Sequence, residues 1–143
     1  MEKMHANSFR DLIVYQKAKS VSRLIFELSK SFPKEETYSL TDQMRRSSRS
    51  IGAQIAEAWG KRRYKKHFIS KLTDADAEQL ETQHWANVAF SCGYLNEENR
   101  EQLINDLKET GRMLQSMINK SKLFCEKPSE VNEELAEYIT GEQ

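Results

Sequence analysis

Apolar side chains recur every three or four residues through most of this 143-residue sequence, and this spacing limits the possible folds more than any other feature. Such a period places side chains along one face of an α-helix. The first series ends at Phe32, and Pro33 stops the helix because proline lacks an N–H group and disfavours helical geometry in the preceding residue. We predict a first helix over residues 8–31. Its stripe is Val14, Ala18, Val21, Ile25, Leu28 and Phe32.

Three further helices follow from the same spacing. The second is predicted over residues 39–60, the third over 66–92 and the fourth over 96–127. Gly60 and Gly93 are expected to end the second and third helices, since glycine is the preferred residue just past a helix. Helices joined by short links pack against their chain neighbours in opposite directions. The predicted fold is therefore all-α, an antiparallel up-down-up-down four-helix bundle.

The sequence contains one domain, with a distinct C-terminal end. Residues 1–127 are assigned to the bundle, and residues 128–143 form a tail with five acidic and no basic residues. The tail is interpreted either as a short docking helix or as a frayed end. Its apolar residues, at helical spacing, are Val131, Leu135, Tyr138 and Ile139.

Composition excludes several classes of protein. With 38% apolar and 31% charged residues, the chain is too apolar to be disordered, and only 5 glycines and 2 prolines argue against a sheet protein. No apolar run approaches the roughly 18 residues of a membrane helix, and the N-terminus lacks the layout of a signal peptide. Cys92 and Cys125 are too few for a disulfide framework. We expect a cytoplasmic protein without membrane contact.

Charge is distributed unevenly although the net charge is zero. Residues 45–71 hold nine basic residues and one acid, whereas residues 72–143 hold six basic and fifteen acidic residues. This asymmetry has two interpretations: the halves attract one another, within a chain or between copies, or the basic block binds an anionic partner such as structured RNA or DNA. The candidate nucleic-acid-binding residues are Arg45, Arg46, Arg49, Lys61, Arg62, Arg63, Lys65 and Lys66.

The third predicted helix carries a second apolar stripe. On a helical wheel, Phe68, Leu72, Ala75, Ala86 and Phe90 fall on one side together with Gln79 and Gln83. Trp85, Val88 and Cys92 form the second stripe, on roughly the opposite side. A bundle helix needs only one apolar stripe for its own core, so the second stripe should be covered by another surface. Either the C-terminal tail lies there or a second subunit does, and tryptophan is a typical anchor of subunit contacts. The interface candidates are Trp85, Val88 and Cys92.

The segment from Leu40 to Ala58, LTDQMRRSSRSIGAQIAEA, resembles the signature of the bacterial 23S rRNA-intervening sequence protein family, also called the four helix bundle protein family. Further matching segments are Phe9–Ala18, the Phe32-Pro33 stop, and Glu81–Gln83 followed by Cys92–Leu95. Gln54 stands where the family usually has Asn, and Ala58 where it has Gly, which suggests a subgroup.

The resemblance carries implications beyond the fold. It implies a four-helix bundle that assembles into a ring-like homo-oligomer, commonly a pentamer, and it implies no known catalysis. A more distant similarity is to the accessory variability determinant of diversity-generating retroelements, which binds nucleic acid and a reverse transcriptase. We therefore expect a non-enzymatic assembly or scaffold module, with an RNA- or DNA-binding accessory protein as the alternative.

Candidate chemistry is sparse in the sequence. Glu81-x-x-His84 has the spacing of di-iron bundles, but the only other such pair, Glu2-x-x-His5, lies in the leading residues, so an ordinary surface pair is the preferred interpretation. Glu57, the single acid of the basic block, is expected to pair with Arg46, Lys61 or Arg62. We predict no catalytic residues, no metal and no cofactor.

Overall fold

The computed structural model of the chain describes residues 7–126 and 135–140. Those residues form an all-α structure, as predicted, and their only strand-like pairing is an isolated antiparallel bridge between Leu12 and Ile139. The helices are α1 (Ile13–Ser29), α2 (Asp42–Gly60), α3 (Lys65–Ser91), α4 (Glu97–Asn119) and the short α5 (Ser121–Glu126).

The four long helices pack around one core. Helix α2 contacts α1 and α3, and α4 also contacts α1 and α3, so α1 and α3 occupy opposite corners of the bundle. Ser29 at the end of α1 meets Arg45 near the start of α2, and Lys17 near the start of α1 meets Glu109 in α4. These packing partners determine which helix faces remain on the surface.

Helix α1 begins later than the sequence predicted. Ser8 and Asp11 form a reciprocal cap, which closes a 3-10 turn over Phe9–Asp11 and not the α-helix itself. Leu12 then adopts an extended backbone with ψ of 131°, which interrupts the helix and allows the bridge to Ile139. Helix α1 therefore starts at Ile13, and it ends at Ser29 rather than Ser31.

The predicted stripes of α1, α2 and α4 form the core. In α2 the stripe is buried throughout and consists of Met44, Ser47, Ile51, Ile55 and Ala58, of which Ile51 and Ile55 are fully enclosed. In α1 the stripe is buried except at Leu28, which is half-buried. The hydroxyl groups of Ser47 in α2 and Thr82 in α3 lie 2.9 Å apart and join the two helices across the core.

Helix α3 buries five of the seven residues that the helical wheel placed on its core side, and differs from the prediction at two positions. Thr82 and Ala89 are fully buried, whereas the predicted Gln83 and Phe90 are half-buried. The buried positions follow alternating steps of four and three residues, which is the seam expected for near-parallel helix packing. They are Phe68, Leu72, Ala75, Gln79, Thr82, Ala86 and Ala89.

One glycine ends a helix as predicted, and the other does not. Gly93 has φ of 81°, and the N–H groups of Gly93 and Tyr94 bond to the carbonyls of Phe90 and Ala89, which is the Schellman arrangement. Gly60 instead remains inside α2, and Lys61 follows it as the cap. A Cβ on a third glycine, Gly111, would lie 2.7 Å from the Gln79 amide nitrogen, so its absence lets α4 approach α3 closely.

The fourth predicted helix is broken in two at Lys120, between α4 and α5. The break lets Phe124 of α5 stack on Phe68 of α3, with ring centroids 5.7 Å apart. Pro128, the predicted end of this helix, lies outside the described residues.

Residues 135–140 dock on the end of the bundle that holds the start of α1 and the end of α4. Tyr138 is buried against Phe124, and its hydroxyl lies 2.5 Å from that of Ser116. The Thr140 N–H donates to the Asp11 carbonyl at 2.7 Å. These residues form a 3-10 turn over Ala136–Tyr138 rather than an α-helix, and they lie far from the Trp85 end of α3. Val131 lies outside the described residues.

Candidate interaction surfaces

The candidate basic residues separate into two groups at opposite ends of α2. Arg45, Arg46 and Arg49 lie in its first turns, and the others lie in or after the link that follows Gly60. Sixteen residues separate Arg45 from Lys61, which is about 24 Å at 1.5 Å per residue. The sequence block is therefore not one continuous surface patch.

At the first end, cations surround the ring of Phe26 in α1. The guanidinium carbons of Arg45 and Arg49 lie 4.9 and 5.6 Å from the ring centroid, and the Lys30 amine lies 4.8 Å from it. Arg45 also donates from Nε to the Ser29 hydroxyl at 2.8 Å. Arg45 is thus a half-buried packing residue, whereas Arg49 remains exposed.

Arg46 is held by acids of α3. Its guanidinium lies 2.8 Å from Glu81 and 4.0 Å from Glu78. Glu81 also accepts a hydrogen bond from the indole N–H of Trp85 at 3.0 Å. Burial raises the pKa of the Glu78 carboxyl, and nearby Glu81 raises it further, while Arg46 acts in the opposite direction. Arg46 therefore stabilises the α2–α3 contact, as expected if the two halves of the chain attract one another.

The link between α2 and α3 presents the second group, here called the link patch: Lys61, Arg63, Tyr64, Lys65 and Lys66. All five are exposed, and Tyr64 is 57% exposed. Within the part of the chain that the structure describes, none of its four cations forms an ion pair. Because these charges repel one another, an anionic partner would be favoured at this surface.

Arg62 differs from its neighbours in the link. Its guanidinium stacks on the Trp59 ring at 3.5 Å, and its Nε donates to the Trp59 carbonyl at 2.8 Å. Burial lowers the pKa of Arg62 and raises that of the nearby Cys125 thiol. Arg62 is a structural residue that fixes the end of α2.

The three interface candidates of α3 lie at its edge and its end. Trp85 and Val88 are half-buried and pack against the margin of the core, while Cys92 is exposed. Trp85 lies on the α2 side, because its indole bonds to the same Glu81 carboxylate that holds Arg46.

The outward face of α3, which was not predicted from the sequence, carries almost no charge. Between Leu72 and Ser91 its exposed residues include a single charged one, Asp74, whereas α4 exposes ten residues of which six are charged. The face centres on Leu80, which is 55% exposed. Its members are spaced alternately by four and three residues, so the spacing in the sequence already places them on one face of the helix. They are Thr73, Ala77, Leu80, His84, Asn87 and Ser91.

A groove between α1 and α2 lies on another side of the bundle. It has two adjoining parts of about 310 and 340 Å³, which share Lys19, Ser22 and Arg49. Its charged lining residues, Lys19, Arg23 and Arg49, are all basic. Its apolar lining consists of small and aromatic residues, namely Phe9, Tyr15, Ala18, Gly52, Ala53, Ala56 and Phe26.

The titratable residues that suggested chemistry have ordinary partners. Glu81 bonds to Arg46 and Trp85, and His84 is exposed with its ring against that of Trp85. Glu57 pairs with Lys71 at 3.5 Å, not with the three predicted cations, because one turn of α3 brings Lys71 beside the end of α2. Across residues 7–126 and 135–140, no three His, Cys, Asp or Glu side chains form a metal-binding group. Glu2-x-x-His5 lies outside those residues.

Comparison with known proteins establishes the family. The model of the 23S rRNA-intervening sequence protein family matches residues 10–116, which is most of the chain. The chain belongs to this family. The match confirms the resemblance carried by the Leu40–Ala58 segment, and it ends before α5 and the docked residues 135–140.

A solved structure supports the same assignment. It is a crystal structure of a protein with unknown function from the S23 ribosomal protein family of Bacteroides thetaiotaomicron. That protein is 31% identical to this chain, and the similarity covers 75% of this chain and 96% of that one with a TM-score of 0.68. No curated protein matches this chain. The matched family and the solved relative thus indicate no enzymatic class.

No helix among the described residues is both long and apolar enough to cross a membrane.

Proposed function

We propose that this chain is a non-enzymatic assembly module, an antiparallel up-down-up-down bundle whose copies form a ring-like homo-oligomer, with five copies expected. One observation carries the proposal: α3 presents an outward face with almost no charge, centred on an exposed leucine. In a chain with 31% charged residues, such a face favours cover by another protein surface. The half-buried Trp85 lies beside it and supplies a further anchor of the kind found in subunit contacts.

The antiparallel arrangement is supported by contacts between helix ends. The end of α1 meets the start of α2 through Ser29 and Arg45, and the start of α2 meets the second half of α3 through Arg46 and Glu81. The free thiols of Cys92 and Cys125 suit a reducing, cytoplasmic compartment.

The mass of the protein in solution tests the assembly proposal. We expect light scattering at micromolar concentration to give a multiple of the 16.7 kDa chain mass, with about 84 kDa for five copies. The mass should persist over a tenfold dilution when the dissociation constant of the subunits lies well below the micromolar range, because occupancy of the interface follows mass action. A monomer of about 17 kDa under these conditions would overturn the proposal.

A second candidate function is supported by the link patch. Four exposed cations lie within three residues of Tyr64 in the sequence, and the exposed Tyr64 ring meets the His67 ring edge-on at 5.8 Å. Cations contact phosphates and aromatic rings stack on bases, so this group suits RNA or DNA. We propose nucleic-acid binding at the link patch as the alternative role.

Charge reversal separates the two roles. Changing Lys61, Arg63, Lys65 and Lys66 to Glu should abolish binding to a labelled structured RNA if the patch binds phosphates, because the phosphate contacts supply most of the affinity. Each lost phosphate contact should also reduce the slope of log affinity against log salt by roughly 0.7–0.9. Arg62 stays unchanged because it stacks on Trp59. The oligomer should remain intact, as measured by light scattering on the same sample.

The control variant is Lys34→Glu, Lys108→Glu, which reverses two exposed cations outside the link patch. It is compared with the double variant Lys65→Glu, Lys66→Glu, which reverses the same number of charges within the patch. Equal loss of RNA in both pairs would indicate a general charge effect instead of a site. Dissociation of the link variant without nucleic acid would assign the patch to subunit contacts. If the unchanged protein retains no RNA or DNA at low salt, the alternative role is ruled out.

A further inference from the structure

Two tyrosines are exposed in the links that join the helices, and their surroundings differ. Tyr38, between α1 and α2, is 84% exposed, and Tyr64, between α2 and α3, is 57% exposed. Within four residues of Tyr38 the sequence has three acids and one lysine, whereas within four residues of Tyr64 it has five basic residues and no acid. Of the two, Tyr64 therefore combines an open aromatic ring with a positive surface.

The backbone of Tyr64 is held on both sides. Its N–H donates to the Lys61 carbonyl at 2.9 Å, and its carbonyl accepts from the N–H of Phe68, also at 2.9 Å. Phe68 is buried in the core, and the preceding link is held by Arg62, which stacks on Trp59 at 3.5 Å. A partner that binds this surface does not have to order the link, so the loss of conformational freedom on binding is reduced.

The start of α3 adds to the positive potential of the link patch. Helix α3 begins at Lys65, its first turn contains no acidic residue, and Tyr64 makes no capping hydrogen bond with its side chain. The first N–H groups of a helix carry a partial positive charge. The four cations of the link patch form no ion pair among the described residues, and they lie next to this helix start in the sequence. Both features favour the phosphates of an anionic partner.

The Tyr64 ring distinguishes a single strand from a duplex. A duplex stacks its bases on one another and offers a protein mainly its phosphates and groove edges, which cations contact without an aromatic ring. A single strand has bases whose faces are free to stack on aromatic side chains. An exposed ring flanked by cations suits the single strand, because it provides a stacking platform beside the phosphate contacts.

We infer that the link patch binds single-stranded nucleic acid rather than duplex, with one base stacked on Tyr64 and the neighbouring phosphates held by Lys61, Arg63, Lys65 and Lys66. This inference rests on the nucleic-acid role proposed above as the alternative, and it names the class of strand. Phosphate contacts set the slope of log affinity against log salt, whereas stacking of a base does not change it. The two contributions can therefore be measured separately.

Fluorescence anisotropy with labelled RNA tests the inference on the full chain. The probes are a single strand of about 12 nucleotides without self-complementarity, and the duplex that it forms with its complement. At about 0.15 M salt, we expect the unchanged protein to bind the single strand more tightly than the duplex. Tyr64→Ala should weaken binding of the single strand about 5- to 140-fold, the range for removing one stacked base, without altering the salt slope. Its duplex binding should stay within about twofold, because duplex contacts go to phosphates.

Three control variants separate the ring from the charges and from the fold. Tyr64→Phe keeps the ring and should retain binding of the single strand. Tyr38→Ala removes the other exposed tyrosine, which lies before α2 and not after it, and should leave the affinity unchanged. Lys65→Gln removes one cation and should reduce the salt slope for the single strand by roughly 0.7. Since these side chains are exposed, circular dichroism should show unaltered helix content in every variant.

The outcomes distinguish this inference from the role on which it rests. If the unchanged protein retains neither probe at low salt, the nucleic-acid role and the inference both fail. Tighter binding of the duplex at about 0.15 M salt, or an equal loss of both probes in Tyr64→Ala, overturns the single-strand inference alone. The inference also fails alone if Tyr64→Ala binds the single strand as tightly as the unchanged protein does.

Discussion

Replacing Phe68 with alanine is expected to lower the free energy of unfolding by about 3–5 kcal/mol, the range for removing a fully buried aromatic ring. Phe68 is 1% exposed and is among the largest fully buried side chains of the described residues. Its ring stacks on Phe124, which meets Tyr138 at 5.2 Å, so the three rings join α3, α5 and the docked residues 135–140. The substitution leaves a cavity that these separate elements cannot easily close.

Chemical denaturation of Phe68→Ala, Phe124→Ala and the double variant measures this effect. We expect a coupling energy of about 0.5–1.5 kcal/mol between the two rings, beyond the buried area that each loses. Phe26→Ala removes a half-buried ring from α1 and should cost roughly half as much or less. A loss below about 1 kcal/mol for Phe68→Ala would contradict the burial of this ring.

Replacing Ile55 with alanine should also lower the free energy of unfolding strongly, by about 2–5 kcal/mol. Ile55 is completely buried in the α2 stripe. The sequence assigns Leu28 to an equivalent stripe in α1, yet Leu28 is half-buried near the end of its helix. Since a half-exposed side chain leaves little cavity when it is truncated, Leu28→Ala should cost less by at least about 1 kcal/mol.

Urea unfolding of the two alanine variants, under conditions where the oligomeric state is the same, provides the comparison. Similar losses for both variants would contradict the difference in burial between the two stripes. A change in the denaturant slope, rather than in the midpoint alone, would indicate that the variant alters the unfolded ensemble and not only the core.

The positions of the long helices follow from local features of the sequence. Alternating steps of four and three residues identify α1, α2 and α4 and most of their buried residues, because each of these helices has one apolar and one polar face. The end of α3 is equally local, because Gly93 adopts the positive φ that closes it. Other ends are less so, since α1 ends four residues before Pro33 and Gly60 remains inside α2. The family signature from Leu40 to Ala58 is likewise legible in the sequence, and the family match confirms it.

Helix α3 shows where local reasoning is incomplete, since five of its seven predicted core residues are buried and two are not. Apolar and small residues occur all around it, so the periodicity allows more than one stripe, and a wheel alone does not decide which is buried. Packing against α2 and α4 buries Thr82 and Ala89 and leaves Leu80 and its uncharged neighbours exposed. The choice depends on the positions of two other helices, which the sequence of α3 does not encode.

The basic residues were recognisable from the sequence as a charge block, but their separate environments were decided by tertiary structure. Glu81 captures Arg46 across 35 residues of sequence, and Trp59 holds Arg62, while the link patch stays without ion pairs among the described residues. Residues 135–140 dock on the start of α1 through a bond that joins Thr140 to Asp11 across 129 residues. Local spacing thus determined the helices, whereas long-range contacts determined which of their surfaces remain open to a partner, because burial depends on distant elements that no local pattern contains.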